Sequence, residues 1–472
     1  MLRKLSAILL SLALLLGCLG LAVHAADGEL APYRVVSTYY GEGKQGFHWY
    51  TKADCASEVV VDGKTYAGTS TEYQGFFAHR VVAQGLAPGT EYTYKIGDWE
   101  GSFKTNPGRG VPFSCIVTGD VQASDAAGFA YSAATVGKAW EMFPDAAFTV
   151  TLGDHTNNSN NEEWDLYFDA FQGIHKRAAF VPIAGNHDGF FKWDWFRNMF
   201  TLKEQPNITN RTGVYYSFDY GDVHFAVLNT NDMYPMSMQQ RNWLVNDMKR
   251  TDAKWKIVFM HKSPYSAGND ALSPDVLLLR RALIPLFDQL GVDLVMYGHD
   301  HQYYRSQPVR ADKPVGAESY EQMTIKNDIP EYPPVDVYTN PKGAIYILPC
   351  AACNKRYPVH ENMLPAVREC AVKHENPGKP VFTSLSVSGG RLTYTAYTYD
   401  PAEKTAALYD EIIIEKTRTD PPDPNYKPLP TDPFTTFPQQ AWNFISELFT
   451  VVVFDYLATG LLWNLIMEEV GG

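Results

Sequence analysis

The sequence predicts an N-terminal β-sandwich followed by a layered α/β domain, with a functional site at the carboxyl ends of its strands. Three observations support this. Short segments of alternating apolar and polar residues fill positions 32–107, strand-like and helix-like patterns alternate from residue 111 onward, and several apolar runs stop directly before a polar or charged residue. The 472 residues exceed one ordinary domain, so two or three folded units are expected.

The first 25 residues have the pattern of a secretory signal peptide. Arg3 and Lys4 precede a long apolar stretch, and Val23-His24-Ala25 provides a small-residue exit. The segment 15–18 (Leu-Leu-Gly-Cys) resembles a bacterial lipoprotein box, which would instead lipidate Cys18. Both interpretations predict an exported protein, either secreted or at the cell surface.

The composition is that of an acidic globular chain. Hydrophobic residues make up 45% and charged residues 20%, and the formal net charge is −13. Because nucleic-acid binding depends on basic surface, this balance argues against a nucleic-acid partner.

The cysteines suggest a disulfide rather than a metal site. With Cys18 excluded, an odd number remains, so at least one thiol is expected to be free. Cys350-Ala-Ala-Cys353 has the spacing of a redox or zinc pair, but no second pair completes a zinc site. In an exported protein we expect a disulfide between two of Cys350, Cys353 and Cys370, and Cys115 as a buried strand residue.

The region 32–107 alternates in the manner of short strands, separated by turns such as Asp62-Gly63-Lys64. This spacing predicts a β-sandwich. The stretch 85–94 (Gly-Leu-Ala-Pro-Gly-Thr-Glu-Tyr-Thr-Tyr) resembles the corner before the last strands of a fibronectin type III domain. We expect this unit to pack on its neighbour as an adaptor, without a catalytic role.

The region 111–417 begins after a turn-rich boundary and shows βα alternation, which implies a layered α/β domain. Paired strand patterns around Gly221-Asp222 predict a hairpin. Strands at 343–349, 380–388, 391–399 and 407–416 are expected to complete a second sheet. The polar segments 307–342 and 354–379 are expected to cover or flank the site.

The carboxyl-terminal part differs in character. Residues 418–438 are rich in proline and predict a stiff, extended linker. Residues 439–472 are apolar with helix-compatible spacing, but Glu447, Asp455 and Asn464 interrupt them. A carboxylate near the middle of a membrane span costs about 2.5–3.5 kcal/mol. We therefore expect an amphipathic helical tail that docks on protein or on a membrane surface, and not a span.

The polar residues at the strand ends carry the chemistry. They are Asp120 after 113–118, Asp154 after 148–152, Asn186 and His187 after 180–184, His261 after 255–260, and His299 and His301 after 292–297. A lone Gly-Asp is usually a turn and a lone His is usually structural, but this many at strand ends point to one site. Two metal ions need such a mixture of ligands and one shared carboxylate, and the donors suit manganese, iron or zinc.

Five blocks in chain order then resemble the calcineurin-like metallophosphoesterases. They are Gly-Asp-Val-Gln at 119–122, Gly-Asp-His at 153–155, Gly-Asn-His-Asp at 185–188, Phe-Met-His-Lys-Ser-Pro-Tyr at 259–265 and Gly-His-Asp-His at 298–301. The segments 215–225 and 297–306 are similar to purple acid phosphatases in particular, and the likeness covers roughly 32–416. This resemblance implies a four-layer α/β/β/α domain after the fibronectin-like unit.

The resemblance also implies a role for each site residue. Asp154 would bridge the two metal ions, Asp120 and His301 would hold the first ion, and Asn186, His261 and His299 would hold the second. His187 would face the phosphate and protonate or stabilise the leaving oxygen, while a metal-bound hydroxide attacks phosphorus. Tyr265 and Arg305 are expected to be structural.

Two positions depart from the family. Purple acid phosphatases have an iron-binding Tyr three residues after the bridging Asp, where this chain has Asn157. The wider superfamily has a His two residues after the first Asp, where this chain has Gln122. Either amide oxygen could contact the first ion or the phosphate as a weaker donor. The purple colour of that family comes from the Tyr–iron bond, so it is expected to be absent here.

The sequence thus predicts an exported dinuclear-metal phosphoesterase that hydrolyses phosphomonoesters. A phosphodiesterase or nucleotidase using the same site is the alternative within enzymes. A non-catalytic surface binding protein with a degraded first metal site is the alternative outside them. Metal content separates these classes, since about two ions per chain favours an enzyme.

Overall fold

The computed structural model describes residues 27–189, 195–203, 214–231, 238–324, 333–361 and 363–417. The predicted signal segment 1–25 with Cys18, the linker 418–438 and the tail 439–472 lie outside these residues and stay predictions. Among the helices within the described ranges, none has the length and apolar character needed to cross a bilayer.

The secondary structure is dominated by strands. The strands are β1 (Tyr33–Gly41), β2 (Lys44–Thr51), β3 (Glu58–Val61), β4 (Lys64–Ala67), β5 (Thr69–Tyr73), β6 (Phe76–Gln84), β7 (Glu91–Ile96), β8 (Trp99–Lys104), β9 (Phe113–Thr118), β10 (Phe148–Thr151), β11 (Ala179–Pro182), β12 (Tyr216–Tyr220), β13 (Val223–Val227), β14 (Trp255–Phe259), β15 (Leu294–Met296), β16 (Tyr303–Ser306), β17 (Val309–Arg310), β18 (Lys313–Pro314), β19 (Ala317–Met323), β20 (Val335–Pro341), β21 (Ile345–Pro349), β22 (Ala371–Glu375), β23 (Val381–Ser388), β24 (Arg391–Asp400) and β25 (Thr405–Glu415). The helices are α1 (Ala126–Met142), α2 (Asn161–His175), α3 (Trp195–Met199), α4 (Met238–Arg250), α5 (Pro274–Leu290) and α6 (Pro365–Cys370).

The N-terminal strands form two facing layers in the described part of the chain, with strand orders β1-β2-β6-β5 and β4-β3-β7-β8. The ring of Phe47 on β2 packs between the layers against Tyr94 and Phe103, with centroids 4.9 and 5.8 Å apart. The predicted strand-rich N-terminal unit is therefore confirmed. Its first layer is not isolated, because β1 pairs in parallel with β11 at Thr38 and Phe180 and continues into the next sheet.

Two mixed sheets form the centre of the α/β region. One continues from β11 in the order β11-β10-β9-β23-β24-β25-β20-β19, and the other has the order β12-β13-β14-β15-β21-β16-β22. Between them Phe148 meets Phe225 with ring centroids 5.8 Å apart. Helices α1 and α2 contact the first sheet. Leu283 and Phe287 of α5 share a buried apolar cluster with Val258 of the second sheet. The four-layer α/β/β/α prediction is confirmed.

The predicted strand assignment was partly wrong. Strand β21 joins the second sheet, but β23, β24 and β25 extend the first sheet, because β23 pairs antiparallel with β9 and sets Thr383 opposite Val117. In its described residues, 307–324 and 333–342, the segment 307–342 does not flank the site. Its strands β19 and β20 lie at the far edge of the first sheet, five and four positions from β9. The alternation of apolar and polar residues shows which face of a strand is buried, but not which strand it pairs with. The same pattern therefore fits either sheet.

The expected disulfide is also wrong. The five cysteines within the described ranges are all free thiols. Cys370 Sγ lies 3.6 Å from the carbonyl oxygen of Asp312, while Cys353 Sγ lies 3.8 Å from Nδ1 of His301. Each thiol thus has its own surroundings, and the spacing of cysteines in sequence did not reveal this. Cys115 is fully buried in β9, as predicted.

A buried ion cluster joins the two sheets. Arg305 on β16 contacts Asp410 on β25 (Nε to Oδ2, 2.6 Å) and Asp336 on β20 (Nη2 to Oδ2, 2.8 Å). Side-chain exposure is 4%, 4% and 3% for the three residues. Arg305 is therefore structural, as expected, and so is Tyr265, which is fully buried.

His224 on β13 is expected to make stability depend on alkaline pH. Its ring nitrogens contact Asp219 (2.7 Å) and Asp247 (2.8 Å). Burial alone would lower the pKa of His224, but hydrogen bonds to the two carboxylates outweigh burial and raise the pKa to about 9 from 6.5. The stabilisation is complete below about pH 6.5 and is lost as pH rises through about 9, an effect on the order of 2 kcal/mol.

Denaturant unfolding of the wild type and His224→Gln between pH 6 and 10 tests this prediction. The free energy of unfolding should fall over this range in the wild type, and the difference between the two proteins should shrink. Parallel pH dependences of the two proteins would contradict it.

Candidate metal centre

The predicted site residues meet where the carboxyl ends of strands from both sheets lie next to each other. Asp120 and Asp154 follow β9 and β10 of the first sheet, and His261 follows β14 of the second. A hydrogen bond crosses the sheets here, because Nδ1 of His261 donates to the carbonyl oxygen of Leu152 at 2.8 Å. This bond directs Nε2 of His261 into the site, the arrangement usual for a metal-binding imidazole.

Glycines before the site residues allow this close approach. A Cβ atom on Gly185 would lie 2.1 Å from the backbone nitrogen of Asp154, and one on Gly298 would lie 2.3 Å from Oδ1 of Asp120. Both distances are far inside van der Waals contact, so a larger residue would push the strand ends apart. Asp154 and His299 also adopt positive φ angles of 50° and 78°. Such backbone strain in non-glycine residues is concentrated at functional sites.

Four donor atoms surround one point, the predicted second metal site. Oδ1 of Asn186 lies 2.8 Å from Nε2 of His261 and 2.9 Å from Nδ1 of His299. Nε2 of His261 lies 3.3 Å from Oδ1 of Asp154. Donors bound to one ion at about 2.1 Å in octahedral geometry are about 3.0 Å apart, so these spacings fit a shared ion.

The predicted first site is assembled less completely. Oδ2 of Asp120 lies 3.1 Å from Nε2 of His301. Gln122 also reaches this point, but with its amide nitrogen, which lies 3.2 Å from Oδ2 of Asp154 and 3.2 Å from Nε2 of His301. Its oxygen turns away, so Gln122 does not present the weak oxygen donor considered from the sequence.

Asp154 lies between the two groups, with Oδ1 toward His261 and Oδ2 toward Gln122. Burial would raise the pKa of Asp154, but the neighbouring His261 imidazole outweighs burial and keeps the pKa below its usual value. Burial lowers the pKa of His299 to about 3, which leaves a neutral ring suited to ligation. Taken together, the donors fit a two-ion centre in which Asp154 is shared.

His187 lies beside the donors without joining them. Its backbone N–H donates to Oδ1 of Asp154 at 2.9 Å, and its Nδ1 contacts the carbonyl oxygen of Asn157 at 2.6 Å. Its side chain is 32% exposed, while that of Asp154 is buried. The ring thus borders the opening of the centre, where a leaving group would need a proton donor.

The sequence interpretation missed several site residues. Lys355 donates from Nζ to Oε1 of Gln122 (3.1 Å) and to Oδ1 of Asn157. Tyr357 stacks on the His301 ring, with centroids 4.4 Å apart and planes 9° apart. Both lie in the loop after β21, six and eight residues beyond its last residue, so the strand-end argument does not reach them. They also place part of the segment 354–379 beside the site, as predicted.

The sequence interpretation also missed the role of Asp188, the last residue of the Gly-Asn-His-Asp block at 185–188. Asp188 accepts hydrogen bonds from the backbone N–H of His155 (2.7 Å) and of Gly185 (2.9 Å), and its Oδ2 contacts Nδ1 of His155 (2.9 Å). Asp188 therefore ties the loop carrying Asn186 and His187 to the loop carrying Asp154.

Comparison with known proteins agrees with this geometry. Residues 113–303 match the family model described as Calcineurin-like phosphoesterase. This chain carries a calcineurin-like phosphoesterase domain. The matched range holds Asp120, Asp154, Asn186, His261 and His299, as well as His301.

Several relatives extend the likeness beyond that domain. Purple acid phosphatase 21 of Arabidopsis thaliana is 30% identical over 267 residues, covering 52% of this chain and 58% of that relative. Acid phosphatase type 7 of Homo sapiens is 24% identical over 390 residues, covering 73% of this chain and 83% of the relative. A purple acid phosphatase from yellow lupin (Lupinus luteus) seeds shares the fold, with a TM-score of 0.66 at 17% identity over 82% of this chain and 74% of that one. The predicted resemblance to calcineurin-like metallophosphoesterases and to purple acid phosphatases is confirmed, and the chain spans 58% of the length of Purple acid phosphatase 21.

Proposed function

We propose that this protein is an exported phosphoesterase that hydrolyses phosphomonoesters at a two-metal centre. The observation that carries the proposal is the convergence of the strand-end donors on Asp154, with spacings of 2.8 to 3.3 Å between neighbouring donor atoms. The proposed ligands are Asp120 and His301 for the first ion, Asn186, His261 and His299 for the second, and Asp154 for both.

Two ions held there would supply Lewis-acid polarisation of the phosphate and a nucleophile derived from water. The chain itself supplies the rest. His187 at the opening would donate a proton from Nε2 to the leaving oxygen, since its Nδ1 is engaged by the carbonyl oxygen of Asn157. Asp188 would keep the His187 loop in register with Asp154.

The donor set favours divalent manganese or zinc, or iron without a phenolate ligand. Asn157 stands where purple acid phosphatases have a metal-binding Tyr, and its side-chain oxygen contacts Lys355. Without a Tyr–iron bond the loaded protein should lack the purple colour whichever of these metals it holds. Export is proposed from the first 25 residues of the sequence.

Hydrolysis assays on the full chain test the proposal. The purified protein is freed of metal, loaded separately with manganese, zinc or iron, and given an aryl phosphate monoester and a bis-aryl phosphate diester. Turnover of the monoester by at least one metal form, with about two ions per chain by elemental analysis, is expected. A folded protein that turns over neither ester with any metal would reject the proposal.

A non-catalytic binding protein is the second candidate, because the amide nitrogen of Gln122 occupies the approach to the first site. It predicts one ion or none per chain and no turnover. A nucleotidase or phosphodiesterase would instead show turnover that favours nucleotides or the diester.

A further inference from the structure

Lys355 brings a positive charge to the edge of the centre. Its Nζ donates to Oε1 of Gln122 at 3.1 Å and to Oδ1 of Asn157. Gln122 in turn donates from Nε2 to Oδ2 of Asp154 at 3.2 Å. A single amide group thus separates the ammonium from the carboxylate proposed to be shared by the two ions.

Lys355 lies on the same side of the centre as His187. Asn157 contacts both residues, since its side-chain oxygen accepts from Lys355 and its backbone oxygen contacts Nδ1 of His187 at 2.6 Å. Lys355 is partly exposed, whereas Asp120 and Asp154 are buried. The ammonium and the imidazole therefore border the opening through which a substrate would enter.

The charge of Lys355 is not neutralised by a direct partner in the described part of the chain. Both of its hydrogen-bond acceptors are neutral amide oxygens. An ammonium has three N–H donors, and these two contacts use two of them. One donor and the full charge thus remain for an anion at the centre.

We propose that Lys355 binds a phosphoryl oxygen of the substrate and favours dianionic phosphomonoesters over monoanionic phosphodiesters. The inference rests on the proposed function and names its substrate class. A phosphomonoester carries close to two negative charges near pH 7, because its second pKa is about 6, whereas a diester carries one. A fixed positive charge beside the phosphate therefore attracts the monoester more strongly. Gln122 and Asn157 act as positioning residues that hold the ammonium in place.

Matched variants of the full chain test this role. Lys355→Met removes the charge and Lys355→Arg keeps it, while Lys342→Met removes a lysine from an exposed turn. For each metal-loaded protein, KM and kcat are measured with the aryl phosphate monoester and the bis-aryl diester, and Kd is measured for inorganic phosphate by calorimetry. Metal content and thermal unfolding are recorded for every variant.

Lys355→Met should raise the monoester KM and the phosphate Kd by roughly 10- to 100-fold, the range for a lost charge-assisted hydrogen bond. The ratio of monoester to diester kcat/KM should fall by about 10-fold or more. Lys355→Arg should keep most of the affinity for phosphate and most of the preference for the monoester. Lys342→Met should match the wild type in both. Metal content should be the same in all four proteins.

Two outcomes would overturn the inference. An unchanged phosphate Kd in Lys355→Met would show that the ammonium does not meet the phosphate. A loss of metal, with equal falls in kcat/KM for both esters, would assign Lys355 to the support of the metal ligands. If the wild type hydrolyses neither ester, the proposed function fails, and phosphate titration of the wild type and Lys355→Met alone decides this inference.

Discussion

Asp154→Asn is expected to lower kcat/KM for a phosphomonoester by roughly 10³-fold or more, since it removes several kcal/mol of transition-state stabilisation. Asp154 lies between the two groups, with Oδ1 3.3 Å from Nε2 of His261 and Oδ2 3.2 Å from the amide nitrogen of Gln122. An amide has one oxygen donor and no charge, so it cannot serve two cations as a carboxylate does. Metal content should fall from about two ions per chain to one or fewer.

Asp145→Asn is the matched control, because Asp145 is fully exposed and its ion pair with Lys104 is 3.9 Å long. It should keep its metal content and its kcat/KM. Thermal unfolding in the presence of chelator separates the metal effect from a folding defect, since the metal-free forms of both variants should then unfold near the temperature of the metal-free wild type. Full metal content in Asp154→Asn would mean that Asp154 is not the shared ligand.

The strand ends were predictable because the sequence changes abruptly from apolar to polar residues at each of them. At four of the five strand ends an apolar run stops at a glycine and a carboxylate, amide or imidazole follows, as at Asp120 and Asp154, while His261 follows its apolar run directly. Carboxyl ends of neighbouring parallel strands meet at one edge, so chemistry placed there must converge. The metal-site donors and His187 follow from this rule and from the resemblance in five blocks.

The partners of the strands were not predictable in the same way. The pairing of β1 with β11 depends on register at one position, Thr38 opposite Phe180, which carries no signal in the sequence. The pairing of β23 with β9 places β23 to β25 in the first sheet, although their alternation suits either sheet equally.

Lys355 was missed for a different reason. It stands six residues after the end of β21, in a segment whose cysteines suggested a disulfide. Its contact with Gln122 joins residues 233 positions apart. The departures at Gln122 and Asn157 were visible in the sequence, but the cation that contacts both amides required the fold.

Arg305→Met is expected to lower the free energy of unfolding by roughly 3–5 kcal/mol, because it leaves buried carboxylates without their countercharge. Asp336 and Asp410 have side-chain exposures of 3% and 4%, so water cannot replace the guanidinium. Asp410 keeps a hydrogen bond from Tyr303 (2.7 Å) and Asp336 keeps one from Tyr320 (2.8 Å), but neither hydroxyl compensates a charge. Denaturant unfolding at neutral pH measures the loss.

Arg391→Met is the matched control on the neighbouring strand β24. Its ion pair with Glu415 is 2.9 Å long but half exposed, so its loss should cost about 0–1 kcal/mol. In the Arg305→Met background, Asp336→Asn with Asp410→Asn should recover much of the lost stability, because the uncompensated charges are then gone. If the triple variant is no more stable than Arg305→Met alone, the cost comes from packing around the guanidinium and not from charge. The buried ion cluster would then stabilise the protein by packing rather than by charge, and the two sheets would be joined mainly by their apolar inner faces.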